Sequence, residues 1–260
     1  MRKIVAGVLG ALMALTATSC GSSGPTAKKT TSTTKAPAIA NANAGILKGK
    51  TAAQILKAAT AAATKSGSAH YVLSAIEGTS SQTISGDASM TGGDQTVAQG
   101  AQHIQVVYVG GVAYVQGNAS GLTSAMGFAA TVATNYANKW IAVHSTDSLF
   151  KSIVSAVTLT GTLSQLNPTG TLSVTGPSTV AGRKAVGVKG GLPGTPQAGV
   201  TGSTTLFVAT TDPTVPLEFS GTAAQGTQHV QDKGTFTDWG KPLKLTAPTG
   251  SVPFSSVPTK

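Results

Sequence analysis

IQVVYVGGVAYVQG, residues 104–117, gives the clearest β-hairpin signal in this chain. Three apolar residues of its first half share one strand face: Ile104, Val106 and Tyr108. Gly110 and Gly111 predict a two-residue turn, because both glycines can take the positive φ angles that a primed hairpin turn needs. The chain then returns through Val112 and Tyr114. An antiparallel strand pair is therefore predicted here.

Shorter alternating runs on both sides of the hairpin extend the predicted sheet. Two precede it, and five follow it: residues 70–75 and 82–90, then 171–175, 183–189, 204–210, 215–220 and 228–239. Gly and Pro clusters separate the later runs, as they do between strands. Apolar residues alternate with polar ones, which predicts an antiparallel sheet that is covered on one face only.

Three segments have the apolar spacing of helices and are predicted to cover that face. Thr51 can cap the first helix, and Gly67 can end it. The second carries one apolar stripe: Leu122, Met126, Ala129, Ala133 and Tyr136. The third follows a cap at Ser145 or Thr146 and carries these apolar residues: Leu149, Phe150, Ile153, Val154 and Val157. We predict a single α+β domain over residues 46–248 and an irregular tail at 249–260.

Residues 1–19 have the form of a signal peptide. A basic pair precedes an apolar run, residues 4–15, which is too short to span a bilayer. The run leads to Cys20, which is the one cysteine in 260 residues. This position favours lipoprotein processing, with two acyl chains on Cys20 as a firm anchor. Ala17 and Ser19 would also suit an ordinary signal peptidase, so plain secretion is the alternative.

We predict that residues 20–45 consist of a lipidated Cys20 and a flexible tether. The segment is rich in Ser, Thr, Ala, Gly, Pro and Lys and cannot bury enough apolar surface to fold. The formal net charge of +10 arises largely before residue 68, where nine of the 18 basic residues lie and no acidic residue does. The rest of the chain carries nine basic and eight acidic residues. The domain is therefore nearly neutral and lacks the basic footprint of a nucleic-acid-binding protein.

No motif in the chain predicts catalysis. The four histidines have neither His-x-His nor HExxH spacing, and no G-x-S-x-G motif is present. Eight acidic residues on a large surface will include close pairs by chance. We therefore predict no enzyme, no catalytic residue, no metal site and no cofactor.

Asp238-Trp239-Gly240 allows two interpretations. Trp239 could sit at the mouth of a cavity while Asp238 faces a ligand headgroup. Alternatively, Trp239 closes the sheet against the first helix, and Gly240 permits the turn before Lys241-Pro242. The second interpretation is the favoured one.

Several short matches, in order along residues 50–247, resemble a known family of lipoproteins. They are Ser68-Ala69-His70-Tyr71-Val72-Leu73 after a helix, the hairpin at 109–117, Lys139-Trp140, and Phe236-Thr237-Asp238-Trp239-Gly240. In this order they resemble the actinobacterial LppX/LprG-type lipoproteins, which share a fold with the lipoprotein carrier LolA. The resemblance implies one curved antiparallel sheet, a half-barrel, whose concave face is covered by about three helices.

The resemblance also implies a function without catalysis. An amphiphile, either a lipid or a lipoglycan, would lie in an apolar pocket between the sheet and the helices. The expected pocket residues are Leu122, Met126, Phe128, Ala129, Val132, Tyr136, Leu149, Phe150 and Ile153. The expected protein is a monomer on the outer face of the cell membrane, attached through Cys20. The alternative is a structural lipoprotein that holds an envelope protein partner and has no ligand cavity.

The anchor is directly testable by a Cys20→Ser substitution. We expect the variant to leave the membrane fraction, because the thioether that carries the acyl chains cannot form. Metabolic labelling with a fatty-acid probe should mark the wild type and not the variant. An unlabelled wild-type protein would contradict the anchor and support plain secretion.

Overall fold

The computed structural model describes residues 42–194 and 199–258. In these ranges the chain forms five α-helices and twelve β-strands. The helices are α1 (Ala52–Ser66), α2 (Ala119–Met126), α3 (Ala130–Tyr136), α4 (Phe150–Val157) and α5 (Leu159–Leu166). The strands are β1 (Ser68–Glu77), β2 (Ser80–Ser89), β3 (Gly93–Gln99), β4 (Gln102–Val109), β5 (Val112–Gly117), β6 (Ile141–Val143), β7 (Thr169–Val180), β8 (Arg183–Gly191), β9 (Thr201–Ala209), β10 (Pro216–Gln225), β11 (Gln228–Thr237) and β12 (Val252–Pro253). Cys20 and most of the predicted tether lie outside the described residues.

All twelve strands belong to one sheet in the order β12-β6-β5-β4-β3-β2-β1-β11-β10-β9-β8-β7. Every neighbouring pair is antiparallel except β12 with β6, which is parallel. Strands β1 to β6 follow one another across one half of the sheet, and β7 to β11 do so across the other. The two halves meet where β1 pairs with β11. The predicted α+β class with a single, mostly antiparallel sheet is confirmed.

The helices contact both halves of the sheet. Helix α1 contacts β7 to β10 and β1, whereas α4 contacts β2 to β5 and α2 contacts β4 and β5. Helix α5 lies against β2 and α1. Most of the buried apolar residues of strands and helices form one continuous core. Among the described residues, no helix has the length and apolarity needed to cross a membrane.

The boundaries of α1 are those that the sequence predicts. The Thr51 hydroxyl accepts a hydrogen bond from the Gln54 backbone N–H at 3.3 Å, and the Gln54 side chain accepts one from the Thr51 N–H at 2.9 Å. This reciprocal pair satisfies two of the helix's unpaired donors. Gly67 ends the helix with φ of 80°, a left-handed conformation that suits glycine.

The single helix predicted for residues 122–136 is wrong. Gly127 takes φ of 70° and ends α2, and α3 starts three residues later at Ala130. Phe128 lies in the break, where it is buried and stacks on Phe254 with ring centroids 6.2 Å apart. A left-handed glycine followed by an anchored aromatic residue therefore interrupts a stripe that has helical spacing throughout.

Strand β3 and helix α5 are among the elements that the sequence analysis did not predict. Strand β3 is rich in Gln and Thr, yet it pairs along its whole length with β2 and β4. Helix α5 follows α4 after Thr158, whose extended backbone separates the two helices. Helix α4 also begins at Phe150, and no side chain caps it; neither Ser145 nor Thr146 does so. The helical cover therefore consists of five segments rather than three.

The segment predicted as an irregular tail also contributes structure. Val252 pairs with Ile141 at the edge of the sheet, and its N–H donates to the Trp140 carbonyl at 2.8 Å. Val257 is buried at 4% exposure. The segment is short and rich in Pro and Ser, so its order depends on contacts with β6 and Phe128 rather than on local pattern.

Gly93 allows the C-terminal end of α4 to lie directly on the sheet. A methyl group at Gly93 would overlap the carbonyl oxygen of Val157. The backbone oxygen cannot rotate away as a side chain could, so the helix would have to shift. Gly93 therefore sets the distance between α4 and β3.

We expect Gly93→Ala to lower the free energy of unfolding by roughly 1 to 3 kcal/mol, because it overpacks this contact. Gly176→Ala on β7 is the matched control, since a methyl group there meets no atom within 4 Å. Urea unfolding of both variants measures the difference. Equal stability of the two variants would contradict the close contact.

Candidate ligand-binding face

The residues predicted to line a pocket are mostly brought together. Five are buried in the main core: Leu122, Met126, Phe128, Val132 and Ile153. Tyr136, Leu149 and Phe150 are half-buried and pack against them. Ala129 is exposed at the start of α3, so it does not join the others. The break after Gly127 explains this position, because it removes Ala129 from the stripe.

The exposed fractions of these residues do not show whether they line a ligand pocket or belong to the ordinary core. Leu122 is as fully buried as Ile141 on the neighbouring strand, both at 0% exposure. Phe150 packs edge-on against Tyr108 with centroids 6.0 Å apart. Their role as a ligand pocket stays a prediction.

The register of the strands places a line of small and polar residues across the covered face. We name it the polar row. In sheet order from β8 to β4 it consists of Gly190, Thr204, Gly221, Asp232, Ala75, Gln82, Gln99 and Gln102. Each of these residues is directly paired with the next. The row thus crosses eight strands without a large apolar side chain.

The neighbouring line of residues, two positions along each strand, is apolar throughout. We name it the apolar row. From β8 to β4 it consists of Val188, Leu206, Phe219, Gly234, Leu73, Ile84, Val97 and Ile104, all of them buried. Two positions along a strand correspond to about 7 Å. The covered face is therefore polar along one line and apolar immediately beside it.

Asp232 is the group in the polar row whose environment is least expected. Its side chain is 3% exposed, and neither carboxylate oxygen has a hydrogen-bond partner within residues 42–194 and 199–258. Burial raises the pKa of Asp232 from 3.8 to about 6. Among the described residues every Lys and Arg is exposed or half-buried, so no buried cation neutralises this carboxylate. Buried carboxylates are normally paired, because desolvation of the charge is costly.

The neighbours of Asp232 leave further polar atoms without partners. Thr204 lies two strands away across Gly221, and its buried hydroxyl has no hydrogen-bond partner. A methyl group at Gly221 would lie 3.3 Å from that hydroxyl and 3.8 Å from the Asp232 Cβ. At the far end of the row, the side-chain oxygen of Gln102 also has no partner.

A second buried polar pair lies in the next line of the same face. The Tyr71 hydroxyl donates to the Gln95 side-chain oxygen at 2.9 Å, and the Gln95 amide nitrogen has no partner. Burial raises the pKa of Tyr71 above its usual range, and the nearby Asp94 adds to this effect. Tyr71 therefore stays a neutral hydrogen-bond donor at physiological pH.

The remaining polar groups of the described residues include no cluster of metal-binding size, that is, of three or more His, Cys, Asp or Glu side chains. His70 contacts Asp87 at 2.9 Å, and both side chains are partly exposed. This pair lies on the opposite face of the sheet from the polar row, because its residues alternate with buried neighbours.

Trp239 has the structural role that the sequence favoured. Its indole nitrogen donates to the Pro216 carbonyl at 3.0 Å, and its ring lies 5.8 Å from that of Phe236. Gly240 takes φ of 79° in the following turn. Asp238 is exposed and pairs with Lys241 at 2.7 Å.

Asp232 was not singled out from the sequence, although a signal was present. Val230, Asp232, Gly234 and Phe236 alternate with polar residues along β11, and all four are buried. Every second residue of a strand lies on the same face, so an acidic residue two positions from Val and four from Phe lies on the covered face with them. This alternation along β11 could have distinguished Asp232 from the other acidic residues in the sequence.

No family model and no curated protein matches this chain. Similar solved structures include MucB in complex with MucA(peri), the MucA/MucB complex of Pseudomonas aeruginosa, and MucB alone. They are 15–16% identical to this chain over 72–76% of it, with TM-scores of 0.37–0.39. This chain spans 56–63% of the length of those proteins. Similarity at this level assigns neither a family nor a function, and the resemblance to LppX/LprG-type lipoproteins stays a prediction.

The pH dependence of stability tests the environment of Asp232. A folded-state pKa of about 6, above the ordinary 3.8, means that the folded protein holds this proton more tightly than the unfolded chain does. The free energy of unfolding should therefore fall as pH rises from about 4 to 6, by about 3 kcal/mol when complete. Asp232→Asn keeps the shape of the neutral acid. It should remove the contribution of Asp232 to the pH-dependent decrease in the free energy of unfolding.

Chemical unfolding at pH 4.5 and 7.5 provides the measurement. We expect Asp232→Asn to exceed the wild type in stability by roughly 1 to 3 kcal/mol at the higher pH and by much less at the lower one. Asp212→Asn, at an exposed loop position, is the control and should follow the wild type. Parallel pH profiles of the wild type and Asp232→Asn would contradict the buried, unpaired carboxylate.

Proposed function

We propose that this chain is a cell-envelope lipoprotein that binds an amphiphile, a lipid or lipoglycan, between its sheet and helices without catalysis. The observation that carries the proposal is the pair of rows on the covered face. An apolar row beside a polar row matches the two parts of an amphiphile. Ligand sites are typically apolar with a few placed polar groups, which is the composition found here.

The unpartnered polar atoms support a binding face over a purely structural core. A structural core gains from apolar side chains and loses free energy when a polar atom is buried without a partner. This face instead buries Asp232, Thr204 and Gln102 with unpartnered oxygens. A bound ligand would provide partners for these atoms, so their cost falls when the site is filled.

The apolar row suggests where the acyl chains lie. It ends at Ile104 on β4, the strand that α2 contacts. Chains that start beside Asp232 would follow this row toward Leu122 and Met126 on α2. Burial of acyl chains contributes roughly 25 cal/mol per Å² of apolar surface, which is sufficient to hold a lipid. The predicted pocket residues would then surround the chain ends.

The arrangement of the helices supports a curved sheet. Helix α1 contacts the half of the sheet from β7 to β10, α5 contacts β2 on the other half, and α1 and α5 contact each other. Helices on two distant parts of one sheet meet readily when the sheet bends around them. We therefore propose the half-barrel with its concave face covered by helices.

The proposed location rests on the N-terminal sequence. Cys20 would carry the acyl anchor, and the tether would hold the domain near the outer face of the cell membrane as a monomer. A lipid ligand can reach such a domain directly from the bilayer.

A second candidate function is favoured by the opposite face of the sheet. Val72 and Ile76 on β1 are 38% and 53% exposed and lie in the middle of the sheet. Exposed apolar side chains at such a position can contact a protein. In this alternative the protein is an interaction lipoprotein that holds an envelope partner and carries no ligand.

Retained lipid distinguishes the two candidates. Full-length protein with Cys20→Ser carries no covalent acyl chain, so organic extracts report bound lipid only. We expect about one lipid per protein by mass spectrometry. Gly221→Leu should lose this lipid, because its side chain would lie against Thr204 and Asp232 and cover both.

Thr222→Leu is the matched control, since Thr222 is exposed on the other face of the same strand. It should retain lipid at the wild-type ratio. Protein free of lipid in the Cys20→Ser background would overturn the proposal and favour the interaction lipoprotein.

A further inference from the structure

We infer, building on the proposed amphiphile-binding function, that the polar row selects a neutral ligand with free hydroxyl groups, such as a monoacylglycerol, over one that ends in a carboxylate or phosphate.

The unpartnered carboxylate and amide oxygens of the polar row require hydrogen-bond donors. Both oxygens of Asp232 and the side-chain oxygen of Gln102 are acceptors when the acid is ionised. The Thr204 hydroxyl can either donate or accept. A ligand that only accepts hydrogen bonds, such as an ester, would leave the carboxylate unsatisfied. A hydroxyl group can donate to Asp232 and still accept from Thr204.

Gly221 has no side chain and lies directly between Thr204 and Asp232 in the polar row. Thr204 and Asp232 lie on the strands to either side of Gly221, so about 10 Å separates their backbones. A methyl group placed at Gly221 would lie 3.3 Å from the Thr204 hydroxyl oxygen and 3.8 Å from the Asp232 Cβ, so both residues adjoin this position. A glycerol-like group with neighbouring hydroxyls can therefore contact both residues at once.

The charge of the site disfavours an anionic ligand. The nearest basic residue along β11, Lys233, is exposed and pairs with Glu218 at 3.2 Å. Because residues alternate along the strand, Lys233 and Asp232 belong to opposite faces. A ligand carboxylate beside Asp232 would meet an uncompensated like charge, and such repulsion is strong where water is excluded.

An ammonium group could also pair with Asp232, but it is the less suitable ligand. One ammonium group would neutralise Asp232, but it only donates and could not accept a hydrogen bond from the Thr204 hydroxyl. A polyol or sugar carries several donors on one neutral group. The composition of the row, with one carboxylate, one hydroxyl and three amides, favours the hydroxylated ligand.

The test compares ligands that share one hydrocarbon chain. Full-length Cys20→Ser protein, stripped of lipid, is titrated at pH 7.5 with monoolein, methyl oleate, oleate and oleylamine, all below the concentration at which they aggregate. We expect monoolein to bind about tenfold or more tightly than methyl oleate and oleate, since one charge-assisted hydrogen bond accounts for such a factor.

Variants show whether Asp232 causes the preference. Asp232→Asn should bring the affinities for monoolein and oleate within about threefold of each other, because the like charge and the strong acceptor are gone. Thr204→Val should weaken monoolein binding and leave methyl oleate unchanged. Asp87→Asn, on the opposite face of the sheet, is the control and should keep the wild-type preference. If Asp232→Asn does not fold, Thr204→Val and the wild-type ligand series decide.

The outcomes separate this inference from the proposed function. If none of the four ligands binds, both are overturned. If methyl oleate or oleate binds as tightly as monoolein, or folded Asp232→Asn keeps the preference, the inference fails while amphiphile binding stands. Tightest binding of oleylamine would overturn the hydroxyl class in favour of a cationic ligand.

Discussion

The pairing of β1 with β11 is the contact on which the rest of the structure depends. It joins two halves of the sheet that are otherwise built from neighbouring strands, with His70 opposite Thr237 at one end and Glu77 opposite Val230 at the other. More than 150 residues separate the partners, so the contact must overcome a large loop-closure entropy before it contributes. A continuous core across both halves forms only once this pairing exists.

The chain secures this pairing where β11 ends. The Ser68 hydroxyl donates to the Lys241 carbonyl at 2.6 Å, and the Gly240 N–H donates to the Ser68 carbonyl at 3.0 Å. Trp239 adds its hydrogen bond to Pro216 on β10. These contacts tie the start of β1 to the chain that leaves β11. They also fix the register that places Ala75 beside Asp232.

The polar row lowers the stability of the fold relative to a row of apolar residues. In the apolar row, Phe219 and Leu73 close over Gly234, where a side chain would overlap both. In the polar row, Gly221 is not covered in this way, and the acid beside it is buried without a partner. Selection for stability alone would favour an apolar residue at this position. The binding role that we propose would account for a carboxylate at this position.

The sequence by itself determined the local structure. The glycine pair at 110–111 and the caps of α1 depend on residues within one turn, and alternation along single strands predicted the antiparallel sheet. The sequence did not determine four features: the break at Gly127, the pairing of β3, the order of the last residues and the exposure of Ala129. These features depend on contacts with other segments, such as the contact of Phe128 with Phe254. The alternation of apolar and polar residues along β11 could indicate that Asp232 lies on the covered face. Only the tertiary structure decided that no buried cation of the described residues pairs with Asp232. It also decided that Gly221 and Thr204 lie beside Asp232, because their strands take their register from long-range pairing.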